Sequence, residues 1–396
     1  MGPLAGIRVV EMSNIGPGPF CGMVLADMGA TVLRVDRPVA GDLGLAIEPR
    51  FDLPNRGKQG IAIDLKRPQG VRTVRDLAAR ADLLIEGFRP GVMERLGLGP
   101  DVLLGDNPRL VYGRLTGWGQ NGSLAAMAGH DINYLGVTGA LASIGPPGGD
   151  PVPPLNLVGD FAGGSLYLAM GLLAALLETR QSGQGQVIDA AMVDGVTSLM
   201  AMHVGYRQAG IWNLERGSNP VDGGAPYYQC YRTSDGYHMA AGPVEQRFYR
   251  IMVDKLGLML AELPDRDDPD NWPALRQILQ ERFASRTREE WTAMFTGTDA
   301  CVTPVYDLDE AQTSPIAAER GLFTVVDGVT MPVPAPRFSR TVALAPQGAQ
   351  DPTSITRDSL VAWGLSEWEV ADLVEKGVIG GQALSDGKRG GGEGLY

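Results

Sequence analysis

The chain has 396 residues, 44% of them hydrophobic and 20% charged, and a formal net charge of −12. That length predicts more than one domain, and that composition a folded protein. The acidic balance excludes general binding to nucleic acid or anionic membranes, but leaves room for a phosphorylated ligand held by local positive charge. The longest apolar run, residues 165–177, is expected to be too short to span a bilayer. The opening MGPLAG reads as neither a signal peptide nor a myristoylation site. Cys21, Cys230 and Cys301 lie far apart with no metal-ligand spacing. A reduced, cytoplasmic, metal-free protein is the expectation.

In chain order, IRVVEM (7–12) predicts a strand, PFCGMVLADMGA (19–30) an amphipathic helix and TVLRVDR (31–37) a second strand. GVRTVRDLAARA (70–81) predicts a helix, followed by strands at 82–88 and 109–115. Strands separated by helices imply an α/β fold with a parallel sheet, whose ligands sit beyond the carboxyl ends of the strands. Gly16, Gly18 and Gly22 suggest a dinucleotide fingerprint, with Asp36 ending the second strand. Pro17 and Pro19 remove two N–H donors from that turn, and Arg37 favours a phosphate over a bare ribose, so NAD is rejected. Basic residues cluster early, at Arg34, Arg37, Arg56, Lys58, Lys66, Arg67, Arg89 and Arg95.

FAGGSLYLAMGLLAALLETR (161–180) predicts a long helix with Asp160 just before it, the place of an N-cap. YYQCYRTSDGYHMAAG (227–242) predicts a hairpin turning at Asp235-Gly236. Three helices follow: one opened by Pro243 with Phe248, Ile251, Met252 and Leu256 on its apolar face, one at 272–283, and one beginning with a Thr287/Glu290 capping box. The expected layout is a large domain over 1–205, a linker over 206–224 and a smaller α+β domain over 225–325. Residues 326–396 are expected to form a linker and a return to the large domain, with a frayed tail at 385–396.

GIRVVEMSNIGPGPF, LADMGATVLRVDRP, ADLLIEGFRPGVMERLGLGP, TGWGQNG, AGHDINYLGVTG, PPLNLVGDFAGGS, GQGQVIDAAMVDG and DACVTPV occur in this order between Leu4 and about Arg340. As a set they resemble the family III coenzyme A transferase superfamily. The histidine of AGHDINY is similar to its α-methylacyl-CoA racemase branch. The resemblance implies a Rossmann-like large domain with a small domain, in an interlocked homodimer acting on a 2-methylacyl-CoA. No separate cofactor is implied, since CoA is part of the substrate. It also implies His130, Asp160 and Glu245 as the catalytic residues, Glu245 pairing with the imidazole across the dimer. CoA contacts are implied at Arg37, Ile63, Lys66, Gly87, Phe88, Arg89, Arg95, Gly129, Asp131, Ile132, Asn133 and Tyr134.

Chemically, racemising the carbon beside a thioester requires a proton to leave one face and another to arrive on the opposite face, so two groups are needed. A histidine, with a reference pKa of about 6.5, serves as acid or base, whereas an aspartate at roughly 3.9 must be partly desolvated to hold a proton. From the residues alone, Asp160 is equally an N-cap, His130 a loop histidine and Glu245 a first-turn carboxylate matched to the helix dipole. The helix start at Asp160 is expected to offer N–H groups to an enolate oxygen. Met192, Met200, Met202 and Met239 suggest either a pliant acyl surface or core packing. A family III transferase using Asp160 as a covalent nucleophile is the alternative activity.

Overall fold

Short aliphatic runs line up as parallel strands in the computed structural model, which describes residues 2–39, 47–343, 345–351, 353–380 and 384. They are β1 (Arg8–Met12), β2 (Thr31–Asp36), β3 (Gln59–Ile63), β4 (Leu83–Glu86), β5 (Val111–Thr116) and β6 (Val187–Ala191). A two-residue strand, Ile379–Gly380, adds antiparallel to β3. The sheet order is therefore Ile379–Gly380, β3, β2, β1, β4, β5, β6. The chain winds outward from β1 in one direction and from β4 in the other. That reversal opens a crevice at the carboxyl ends of β1 and β4, the usual place for a ligand in a doubly wound sheet.

Alternation along β1 explains why both faces are covered. Val10 and Met12 enter one apolar cluster with Leu33, Ile61, Leu84 and Trp363, while Ile7 and Val9 enter another with Leu25, Leu168 and Leu172. Two strands escape notice in the sequence. β3 reads QGIAI and β6 reads VIDAA, each broken by small or charged residues, and β6 is an edge strand buried only at its end.

The expected domain limits shift. The described residues divide into one compact unit of Met1–Tyr134, Asn156–Ser198 and Gly321–Tyr396, and another of Leu135–Leu155 and Leu199–Arg320. Residues 135–155, expected in the large domain, belong to the second unit because Arg216 holds them, its guanidinium donating to the carbonyls of Ala142 (3.1 Å) and Gly149 (2.8 Å). The expected linker from residue 326 contains half of a hairpin, Phe323–Val326 with Val329–Pro332, in which Met331 is fully buried. The tail at 385–396 lies outside the described residues.

The second unit carries the expected hairpin, β7 (Gln229–Arg232) with β8 (His238–Ala241), extended by an antiparallel β9 (Val302–Pro304). One face of this sheet presents Tyr231, Met239 and Val302 to a core of Tyr249, Phe283 and Trp291. Met239 is thus core, not acyl surface. The helix after β8 spans Gln246–Lys255 and is not opened by Pro243. Its buried face is Tyr249, Met252 and Val253, leaving Phe248 half-buried. The Thr287/Glu290 capping box is present as expected.

Candidate active site

The carboxyl ends of the parallel strands in the first unit carry several of the expected site residues. Arg37 follows β2, Lys66 follows β3, and Gly87–Arg89 follow β4. The eight early basic residues sort into two kinds. Arg34 pairs with Asp36 at 2.7 Å, Arg56 with Asp27 at 2.6 Å, and Lys58 with Glu11 at 2.8 Å. All three cations are buried, and Arg67, though exposed, donates to the Lys376 carbonyl. Arg37, Lys66, Arg89 and Arg95 are exposed and hold no ion pair among the described residues. Only the second set is free for an anion. Ile63 is a core side chain, so only its backbone could meet a ligand.

A clamp that sequence reading missed holds the segment bearing Arg89 and Arg95. Arg114 on β5 donates through Nε to Glu86 (2.9 Å) and through Nη1 to Glu94 (2.8 Å), while the second Glu86 oxygen accepts the Phe88 N–H at 2.8 Å. Burial pushes the Glu86 carboxyl up to about 7, against the pull of the Phe88 N–H and Arg114. At the crevice itself, a Cβ on Gly87 would come within 2.2 Å of Asn14 Nδ2, so glycine there lets the turns after β1 and β4 close together.

Asp160 is not the N-cap that its position suggested. It sits inside a π-helix over Leu157–Leu166 that continues as the α-helix Tyr167–Ser182. A wide helical turn of this kind often marks a functional site. Gly195 lets its own helix pack closely on the wide turn, since a Cβ there would lie 1.8 Å from the Gly163 carbonyl oxygen. The combined helix, Leu157–Ser182, is long and apolar enough to cross a bilayer by length and composition, contrary to the expectation from the shorter apolar run. In the first unit it packs Leu168, Leu172 and Leu176 into the sheet core.

The β1–helix turn supports Asp160 from below. The helix after β1 begins at Pro17, earlier than expected, with Gly16 at φ 76°. A Cβ on Gly16 would stand 3.3 Å from Asp160 Oδ2. Phe20 stacks on Phe161 at 4.5 Å, and the Ser165 hydroxyl lies 2.6 Å from the Pro17 carbonyl and 2.9 Å from that of Asp160. Burial raises the pKa of the Asp160 carboxyl first. The Asn156 amide, donating at 3.1 Å, lowers it, the Asp131 charge raises it and His130 lowers it, and the net direction is upward. Asp160 therefore gives up its proton less readily than a solvated aspartate. The Asn156 contact was missed, although its four-residue spacing from Asp160 is a helical signal.

His130 is exposed at the start of a short helix, Asp131–Val137, near enough to Asp160 to act on it electrostatically. Its backbone N–H donates to Asn133 Oδ1 at 3.0 Å. Tyr134 anchors the same turn: its hydroxyl donates to the Gly129 carbonyl, and its ring meets Trp118 edge-on at 4.8 Å. Ile132 and Asn133 are exposed, whereas Gly129 is half-buried. Asp131 is buried, its Oδ2 accepting the Asp160 N–H at 2.8 Å. One expectation changes here: the Asp160 N–H is occupied by Asp131 rather than open to an oxyanion.

Glu245 belongs to the second unit. It is exposed at the N-cap of Gln246–Lys255, not in the first turn. Its charge helps raise the nearby Cys301 thiol pKa, after burial. A cavity of about 650 Å³ in that unit has Cys230, Ala240 and Thr303, cross-strand neighbours, along its floor, and Met200, His203 and Trp212 among its walls.

A sequence profile described as CoA-transferase family III matches residues 4–353. The chain belongs to CoA-transferase family III. It is 46% identical to the mouse (Mus musculus) alpha-methylacyl-CoA racemase over 374 residues, covering 93% of this chain and 96% of that protein. It is 32% identical to the mouse succinyl-CoA:glutarate CoA-transferase, covering 86% of this chain and 81% of the relative. Among solved structures, a CAIB/BAIF family protein from Brucella suis superposes with a TM-score of 0.78 at 26% identity, over 94% of this chain and 99% of that one. In this family III chain, the Asp131 carboxylate accepts the Asp160 N–H, with His130 close enough to act on the Asp160 carboxyl.

Proposed function

We propose that the chain interconverts the (R) and (S) forms of 2-methylacyl-CoA thioesters by moving the α-proton between two groups, His130 and Asp160. The observation that carries this reading is a histidine beside a carboxyl whose burial raises its pKa, in a chain 46% identical to a racemase. One group removes the proton from its face, leaving an enolate, and the other delivers a proton to the opposite face. For the reverse direction the two exchange roles. Arg37, Lys66, Arg89 and Arg95 would meet the CoA phosphates, supported by their exposure and by the lack of an ion-pair partner among the described residues.

We further propose a homodimer in which Glu245 of one chain pairs with His130 of the other. Supporting it, the helix Tyr167–Ser182 leaves Met170 and Leu177 each 60% exposed, an apolar stripe suited to burial against another chain. Joint refolding of His130→Ala with Glu245→Ala should regenerate sites with every group intact. Verified heterodimers without activity would place the whole site in one chain.

Incubating single enantiomers of a 2-methylacyl-CoA with the protein in D2O tests the activity itself. Deuterium entering the α-carbon together with inversion is expected from both enantiomers. No exchange, combined with CoA transfer to a free carboxylic acid and a hydroxylamine-trapped Asp160, would establish the transferase instead.

A further inference from the structure

Asp131 follows His130 in the chain and is only 7% exposed. Its Oδ2 reaches across 29 residues of sequence to accept the Asp160 N–H at 2.8 Å. Its Oδ1 is buried with no hydrogen-bond partner among the described residues. A half-satisfied buried carboxylate is costly, and satisfying one amide does not require a charge, since a neutral carbonyl oxygen accepts the same bond. Gly159 is shaped to this contact, because a Cβ there would lie 2.4 Å from Asp131 Oδ2. Any larger residue before Asp160 would push the carboxylate off the amide.

The groups acting on Asp160 in this unit are Asn156 from its own helix, and His130 and Asp131 from the facing turn. Tyr134 also faces it, its phenol pushed up to about 12 by burial and then by Asp160 and Asp131. Of these, Asp131 alone is joined covalently to His130 and by a hydrogen bond to Asp160.

We propose that Asp131 is a positioning residue for proton transfer: its carboxylate ties the Asp160 backbone to the residue after His130 and places a second negative charge beside the Asp160 carboxyl. This rests on the racemase reading above. The tether sets the separation of two groups that must address opposite faces of one carbon. The charge disfavours a second ionisation next to it, which leaves Asp160 with a proton to deliver.

Two substitutions separate the tether from the charge. Asp131→Asn keeps an oxygen for the Asp160 N–H and loses the charge. It should retain kcat at its optimum within about tenfold, while the limb of the pH–rate profile governed by Asp160 moves down by roughly one pH unit. Asp131→Ala loses both, and kcat should fall at least ~100-fold while KM for the thioester changes little, as for a misplaced catalytic group. Gly159→Ala leaves the carboxylate in the chain but displaces it, and should reproduce the kcat loss if the Asp131 variants do not fold. The proposal is overturned by folded variants with wild-type kcat and pH profile. It is equally overturned by variants that raise KM alone, which would make Asp131 a substrate contact. A wild-type protein that racemises nothing defeats the functional reading as well, whereas racemising wild type beside unaffected variants defeats only the positioning role.

Discussion

Charge is handled in opposite ways in the interior of the first unit and on the rim above it. In the interior, Lys58 is enclosed by Glu11, the Pro19 carbonyl and Asn55, at 2.8 to 3.1 Å. Desolvation lowers the lysine pKa and raises that of Glu11, so the pair persists only because each charge answers the other. On the rim, Arg37, Lys66, Arg89 and Arg95 are exposed and have no such answers among the described residues. Interior charges are therefore committed to the fold. Rim charges cost the fold little and are available to a ligand, which matters in a protein carrying a net −12.

The strongest test of that contrast is at Asp160, which should matter to chemistry and not to folding. Asp160→Asn should lower racemisation by ~10²–10⁴-fold with little change in the unfolding midpoint. Under the two-base reading, one enantiomer should still exchange its α-hydrogen for deuterium with retention. An Asn variant that racemises at the wild-type rate would remove Asp160 from the mechanism.

Next in size is the interior. Lys58→Met leaves Glu11 buried and unpaired and should cost about 3–5 kcal/mol of stability, read by urea unfolding. Replacing both partners with apolar residues should recover much of that loss. A stable single variant would show that the pair is not enclosed as described.

Rim cations should produce a smaller effect confined to binding. Arg89→Ala and Arg37→Ala should each weaken thioester binding by roughly 1–3 kcal/mol, and the loss should largely vanish with a pantetheine thioester lacking the nucleotide. Equal losses on both substrates would return these arginines to a structural role.

The smallest effect lies at the boundary between the two regions, in the Glu86 clamp. With its carboxyl raised from 4.5 to about 7, the folded protein holds a proton that the unfolded chain has released between those values. Stability should therefore fall as pH rises through that window. Glu86→Gln should flatten this slope in unfolding midpoints compared at about pH 5 and 7.5. An unchanged slope would mean that Arg114 keeps Glu86 ionised throughout.

Local pattern made much of the fold legible. Short apolar, β-branched runs between helices wrote β1, β2, β4 and β5 into the sequence, Asp235-Gly236 wrote the hairpin, and Thr287/Glu290 wrote a capped helix, because each depends on neighbours within a few residues. His130 and Asp160 were legible as chemistry-bearing types set in distinctive motifs, and the family likewise. Other features depend on residues distant in sequence. Nothing near Asp160 announces that Asp131 accepts its N–H, that the helix widens so that Asp160 lies inside it, or that Asn156 partners its carboxyl. Nor does RGKQG say that Lys58 is buried while Lys66 is free. The sequence by itself determined which elements could form and which residues could do chemistry. Only the tertiary structure decided which charges are desolvated and which groups they face, because burial and electrostatic pairing depend on what packs nearby in space.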